Sequence, residues 1–239
     1  MNLYVGTSGY SYKEWKGNFY PSDLSEKKML KYYAEHFNTV EINNTFYRMP
    51  KADVLKSWKN DVPVDFKFII KSPKRITHSK NIESNDPINY LINTVQVLDN
   101  NLGPILFQFP PYFKKYMDRL QPFVETIPDN IKAAFEFRHQ SWFDDEVYAF
   151  LREHNFALCL SDTEENPIND IIPTADWIYL RLRRLEYNDK SLKAIQKKII
   201  EHNWKDAYIF FKHEDEGKGP AFANKFLNVF QKSNLREKV

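Results

Sequence analysis

Glu41 stands between Val40 and Ile42 in TVEINNTFY, a run whose β-branched and aromatic residues read as a strand. A carboxylate there is costly unless a cation pairs with it or a ligand uses it. The placement recurs. Lys71 closes FKFIIK, Gln108 stands in PILFQF, Glu136 and Arg138 alternate with phenylalanines in AAFEFRH, and Arg181 and Arg183 follow leucines in WIYLRLRR. Such side chains can move protons and hold an anion. Glu41 and Glu136 are candidates for acid or base, with Lys71, Arg138 and Arg181 clamping a phosphate or carboxylate. A carboxylate beside cations stays ionised, which suits a base better than an acid. Asp162, closing ALCLSD, and His139, just past Arg138, are further acid–base candidates, the histidine because it titrates near neutrality. Ser8, Asn43 and Gln108, at or near strand ends, are candidate substrate contacts.

The elements that must position these residues are eight apolar runs at 3–9, 39–43, 66–71, 104–109, 132–137, 157–162, 177–184 and 206–214. Between them lie SEKKMLKYYAEHF, NYLINTVQVLDNNL, EVYAFLREHNF and SLKAIQKKIIEHNW, with apolar residues at helical spacing, and GPAFANKFLNVFQKS closes the series. Eight strands alternating with helices predict an α/β fold, a single (β/α)8 TIM barrel spanning 1–239. The first turn, GTSGYSYKEWKG, lacks the glycine spacing of a dinucleotide-binding sheet. TEENPINDIIPTAD is Pro-broken, so the sixth helix is irregular or missing.

Alternation then assigns faces, because the helix-covered side of a barrel strand must be apolar. Glu41, Asn43, Lys67, Ile69, Lys71, Leu106, Gln108, Glu136, Arg138, Tyr179, Arg181 and Arg183 point inward; strands one, six and eight are ambiguous. Most inward polar residues fall at C-terminal strand ends, where barrel enzymes do their chemistry. Cations outnumber carboxylates at that mouth, which favours an anion. The alternative is a buried ion-pair network with a structural role only.

Other stretches carry two readings each. Tyr10, Tyr12, Trp15, Phe19 and Tyr20 in the first loop could stack on a ligand, with Tyr10 and Trp15 as contacts, or could pack the barrel top. Lys71, Lys74, Arg75, His78 and Lys80 form a basic third loop, with His78 a candidate contact. Ser141, three residues before Asp144, reads as a helix cap. No metal motif occurs, and no cofactor is evident. Glu41, Glu136, Asp162 and His213 leave room only for a weak Mg²⁺ or Mn²⁺ arriving with substrate. The net charge of +2 confines any anion preference to a local site. Cys159, the one cysteine, reads as a small buried residue in a reducing compartment. Neither a signal segment nor an apolar run of membrane length is visible, so a cytoplasmic protein with no membrane partner is expected.

GTSGYSYKEWKGNFYP, FNTVEINNTFY, FKFIIKSPKRITH, GPILFQFPP and EFRHQSW together resemble the YecE-like family of domains of unknown function, DUF72. The resemblance runs over nearly the whole chain, most strongly through 1–142, and implies a TIM barrel without implying a reaction. The family usually has Trp at Tyr10, His-Gly at Arg183-Arg184, and an asparagine-rich end where this chain reads FFKHED.

The functional expectation is an enzyme, of hydrolase or lyase type, taking an anionic small molecule or a nucleic acid at the mouth. A glycoside hydrolase using Glu41 and Glu136 is the second reading, although barrel glycosidases commonly draw their acids from strands four and seven, where Gln108 and Arg181 stand. A non-catalytic module binding nucleic acid or an unknown partner is the third.

Overall fold

The computed structural model describes residues 1–79 and 86–236. Its eight strands are β1 (Asn2–Thr7), β2 (Thr39–Ile42), β3 (Lys67–Lys71), β4 (Leu102–Gln108), β5 (Ala133–Glu136), β6 (Ala157–Asp162), β7 (Trp177–Leu182) and β8 (Asp206–Phe211). All pair in parallel, in the order β1-β8-β7-β6-β5-β4-β3-β2. The expected TIM barrel is the fold observed, nearly closed. No described helix is long and apolar enough to cross a membrane.

Side chains close the seam between β1 and β2. The strands meet in a Ser8–Glu41 bridge, with Gly9 N donating to Glu41 O at 2.7 Å. Below it, Tyr33 Oη accepts from Thr7 N at 2.8 Å and donates to Thr39 O at 3.1 Å. Asn38 adds two more links, accepting from Val5 N and donating to Leu3 O. A Cβ on Gly6 would lie 2.2 Å from Thr39 O, so only glycine lets the strands come this close.

Among the described residues eight α-helices accompany the strands, two of them between β3 and β4 and none between β6 and β7: α1 (Met29–Ala34), α2 (Ala52–Asn60), α3 (Lys74–Thr77), α4 (Asp86–Val95), α5 (Met117–Glu125), α6 (Asp145–Glu153), α7 (Asp189–Ile200) and α8 (Lys218–Arg236). Helices α2 and α5 are not among those picked out by periodicity. Helix α2 buries only Leu55 fully, and α5 carries Pro122 within it, so their apolar stripes are thin. Helix α4 stops earlier than NYLINTVQVLDNNL suggests. Asp99 there takes a φ of 49°, and Asn101 Nδ2 turns to Phe66 O at 2.7 Å. The sixth helix is absent. Residues 163–176 instead form a loop pinned by Thr174 Oγ1 to Leu158 N, Asp162 Oδ1 to Ile168 N and Arg152 Nε to Pro173 O. The last two bonds satisfy loop backbone groups that a helix would have paired internally, and the first satisfies a strand N–H.

Two apolar layers follow from strand alternation. The outer one holds Val40, Ile42, Phe68, Ile70, Phe107, Phe135 and Leu180 against the helices. The inner one holds Ile69, Leu106, Ala134, Cys159, Tyr179 and Phe210. Each large side chain buried this way contributes about 2–3 kcal/mol. Above the inner layer the apolar filling ends and the charged residues begin.

Candidate functional site

Arg181 sits at the centre of that charged layer. It donates through Nη2 to Glu41 Oε1 at 2.8 Å and through Nη1 to Glu136 Oε2 at 2.7 Å, so one guanidinium bridges both glutamates. Glu41 is engaged further by Ser8 Oγ on Oε1 at 2.7 Å and Tyr179 Oη on Oε2 at 2.6 Å. Burial alone would raise the pKa of Glu41; Arg181, the two hydroxyls and Lys71 outweigh it and hold the group below its usual value. For Glu136 the same opposition to burial, led by Arg181 and then Arg138, brings the pKa down to about 2. Gln108, in register with Glu136 on β4, adds to this, although its Nε2 has no partner of good hydrogen-bond geometry. Both carboxylates are therefore ionised at neutral pH.

Lys71 ends β3 and is only 9% exposed, yet among the described residues its amine has neither a hydrogen bond nor an ion pair. It lies 4.3 Å from the centroid of the Phe46 ring. The loop holding that ring is anchored to β3, because the Thr45 hydroxyl is shared between Ile42 O at 3.0 Å and Lys71 O at 2.7 Å. Burial lowers the Lys71 pKa to about 8, helped by Arg181 and Arg138 and opposed by Glu41 and Glu136. His78, packed edge-on to Phe46, is lowered by burial first and by Arg138 and Lys71 next.

Arg183 follows β7 on the same face as Arg181. Burial lowers its pKa and Arg181 adds to the effect; Lys212, just past β8, is lowered by burial, Arg183 and Arg181. Neither side chain pairs with a carboxylate among the described residues. Arg138 reaches Glu136 loosely, at 3.5 Å. A cleft of about 660 Å³ enters beside these groups, lined by Glu136, Arg138, Ser161 and Arg183. It opens where β5 and β6 part, for their pairing stops at Phe135–Leu158 while β6 and β7 stay paired to Asp162–Leu182.

The structure thus brings Glu41, Glu136, Lys71, Gln108, Arg138, Arg181, Ser8 and His78 around one mouth. Asn43 joins them at the end of β2, its Nδ2 buried without a partner. Four other residues are placed elsewhere. Asp162 pairs in register with Leu182, which faces the helices. There it accepts from Arg184 at 2.7 Å, Tyr187 at 2.9 Å and Ile168 N at 2.9 Å, and so anchors the β6–β7 loop away from the mouth. Trp15 is 0% exposed, with its indole N–H donating to Glu214 O at 3.1 Å, and cannot stack on a ligand. Tyr10 packs on the outer core near Tyr33, where burial raises its pKa to about 12. His139 Nδ1 accepts from Ser141 N at 3.1 Å and caps a short turn. Ser141 in turn accepts from Lys115 N, whereas the cap of α6 is Asp144, which accepts from Val147 N at 3.0 Å. Lys80 lies outside the described residues. His213 hydrogen-bonds Arg184 O and packs edge-on against Phe222, and no described group of three His, Cys, Asp or Glu stands ready for a metal.

Sequence reasoning did not select Phe46, Ser161, Tyr179 or Lys212. Tyr179 was legible as inward. The other two strand-linked residues were hidden because β6 and β8 are apolar on both faces, which leaves alternation without a phase.

Residues 4–238 match the family described as protein of unknown function DUF72. The chain belongs to the DUF72 family. Solved structures of DUF72 proteins agree: one from Thermotoga maritima superposes with a TM-score of 0.80 at 28% identity, covering 97% of this chain and all of that one. Another, from Enterococcus faecalis, gives 0.78 at 18% identity over 96% and 98% of the two chains, a likeness of fold. Among curated relatives, the UPF0759 protein YunF of Bacillus subtilis is 29% identical over 155 residues, 61% of this chain and 54% of its own. The UPF0759 protein YecE of Escherichia coli is 28% identical over 143 residues, 59% and 50% respectively. In these alignments the chain spans about half the length of the curated relatives.

Proposed function

We propose that this DUF72 protein is an enzyme acting on a phosphorylated small molecule held at the C-terminal mouth of the barrel. The observation that carries this reading is the charge balance. Arg181 engages both glutamates and, among the described residues, Lys71, Arg183 and Lys212 have no carboxylate partner and Arg138 has a loose one. Clustered, partly buried cations repel one another, and an arriving dianion relieves that repulsion. Glu41, fully engaged and unexposed, orients Arg181. Glu136 is the carboxylate that borders the cleft. A divalent cation would enter this positive cup only with the phosphates of its ligand.

The glycosidase reading fares poorly, because Arg181 fills the space between the carboxylates where a glycosidic bond would have to lie. Nucleic-acid binding draws on Tyr47 and Tyr112, 76% and 71% exposed in the loops after β2 and β4. Calorimetric titration with inorganic pyrophosphate and with a single-stranded oligonucleotide separates the two. We expect pyrophosphate to bind, and Arg183→Ala to weaken it by about tenfold, the loss of one charge-assisted contact. Unchanged affinity in Arg183→Ala and Arg138→Ala would refute the reading, and oligonucleotide binding alone would favour the module.

A further inference from the structure

We propose that Lys71 is a covalent catalyst, its amine condensing with the carbonyl carbon of a phosphorylated aldehyde or ketone to give an iminium ion. This rests on the anion-binding reading of the same mouth and adds a substrate class and a bond.

The geometry that carries it is one buried amine that, among the described residues, makes no hydrogen bond or ion pair beside two carboxylates that Arg181 engages. Glu41 and Glu136 are close enough to act on Lys71 electrostatically, yet Glu41 accepts from Arg181, Ser8 and Tyr179, and Glu136 accepts from Arg181 on Oε2 and loosely from Arg138 on Oε1. Arg181 therefore does more than neutralise: it engages one oxygen of each glutamate, and Lys71 is paired with neither. Phe46, fixed by Thr45, covers one side of the ammonium with its ring face, a cation–π contact that offers no carboxylate or lone pair to pair with it. Arginine in this place would never lose its proton. Lysine in a desolvated, cation-rich site can lose one and attack. With its pKa at about 8, roughly a tenth of Lys71 is free amine at pH 7. The groups facing it are Arg181, Arg138, Glu41, Glu136 and His78.

The step balances without an oxidant. The ammonium gives up a proton, nitrogen bonds to the carbonyl carbon, and the carbonyl π pair moves to oxygen. The carbon–oxygen bond of the resulting carbinolamine then breaks and oxygen leaves as water, carrying two of the three ammonium protons. Asn43 Nδ2, just past β2, and Gln108 Nε2, at the end of β4, are buried and have no partner of good hydrogen-bond geometry among the described residues; they flank β3 and could receive the carbinolamine oxygen. Arg138, Arg183 and Lys212 would hold the phosphate. An iminium ion draws electrons from its neighbouring carbon, which suits lyase or isomerase chemistry.

Pyridoxal 5′-phosphate, a phosphorylated aldehyde, is the probe. The full chain would be incubated with it at pH 7, reduced with borohydride and mapped by peptide mass, with pyrophosphate binding measured in parallel. Lys71 should be labelled at least about tenfold faster than exposed lysines such as Lys13, and Lys71→Arg should abolish that label while still binding pyrophosphate. Pyrophosphate binding with Lys71 labelled no faster than Lys13 overturns the covalent role and leaves the anion reading standing. Failure of both overturns both. Selective labelling without pyrophosphate binding supports the amine and removes the phosphate clamp.

Discussion

Arg181 and Glu41 meet at 2.8 Å with only 1% and 0% of their side chains exposed. An ion pair so placed loses nearly all hydration, and its attraction must repay that loss. Repayment comes from geometry. The guanidinium reaches a second carboxylate at its other terminus, and Ser8 and Tyr179 bring the donors on Glu41 to three. Only Nε of Arg181 is left without a partner.

Removing the guanidinium should strand two buried charges. Arg181→Met is expected to cost about 3–5 kcal/mol in urea unfolding. Replacing Glu41, Glu136 and Arg181 together with leucine should recover most of that loss. A cost below about 1 kcal/mol for the single change would mean the network does not hold the barrel top together.

Acid should release the same energy. The folded pKa of Glu136 is about 2, below its ordinary value, and that of Glu41 is lowered as well. Groups depressed on folding stabilise fully above the unfolded pKa and lose that contribution as pH falls through the folded one. Stability should therefore drop between about pH 4.5 and 2, by roughly 3 kcal/mol for Glu136. Urea midpoints measured across this range should fall less steeply for Glu136→Gln.

Lys71 carries the opposite balance at neutral pH. Its folded pKa of about 8 lies below its ordinary value of 10.5, so from pH 8 to 10.5 the unfolded chain binds more protons. Wild-type stability then rises with pH across that window, and the desolvation cost is present in full below it. Lys71→Met should be more stable than wild type by about 1–3 kcal/mol at pH 7, with the gap closing toward pH 10.5. A less stable variant at pH 7 would show that the amine is satisfied after all.

One phenol is a central link in barrel closure. Tyr33→Phe strands the N–H of Thr7 and a carbonyl of Thr39 in the β1–β2 seam, at a cost of about 1–3 kcal/mol. Amide exchange should accelerate at Thr7 before it does at β7, whose ladders on both sides remain intact. Uniform exchange across both strands would assign closure to the Ser8–Glu41 bridge instead.

The strand count, the missing sixth helix and the inward faces of β2, β3, β5 and β7 were legible because each of those strands alternates apolar residues with charged ones. Strands β6 and β8 defeated the same test. ALCLSD and DAYIFF are apolar on both faces, so Asp162 could be assigned to the mouth when it faces the helices, and Lys212 could be overlooked. The aromatic first loop misled for another reason. A tryptophan reads alike in sequence whether it stacks on a ligand or fills a core, and only the 0% exposure of Trp15 separates the two.

Taken alone, the sequence determined which residue types would gather at the C-terminal strand ends, since period-two patterning fixes a face for every strand that carries it. Tertiary structure decided who pairs with whom. Glu41, Glu136 and Arg181 lie far apart in the chain, and curvature of the nearly closed sheet places one arginine between both glutamates and leaves Lys71, among the described residues, without a carboxylate partner. Pairing is a matter of ångströms across the barrel axis, a distance that no periodicity along a strand encodes.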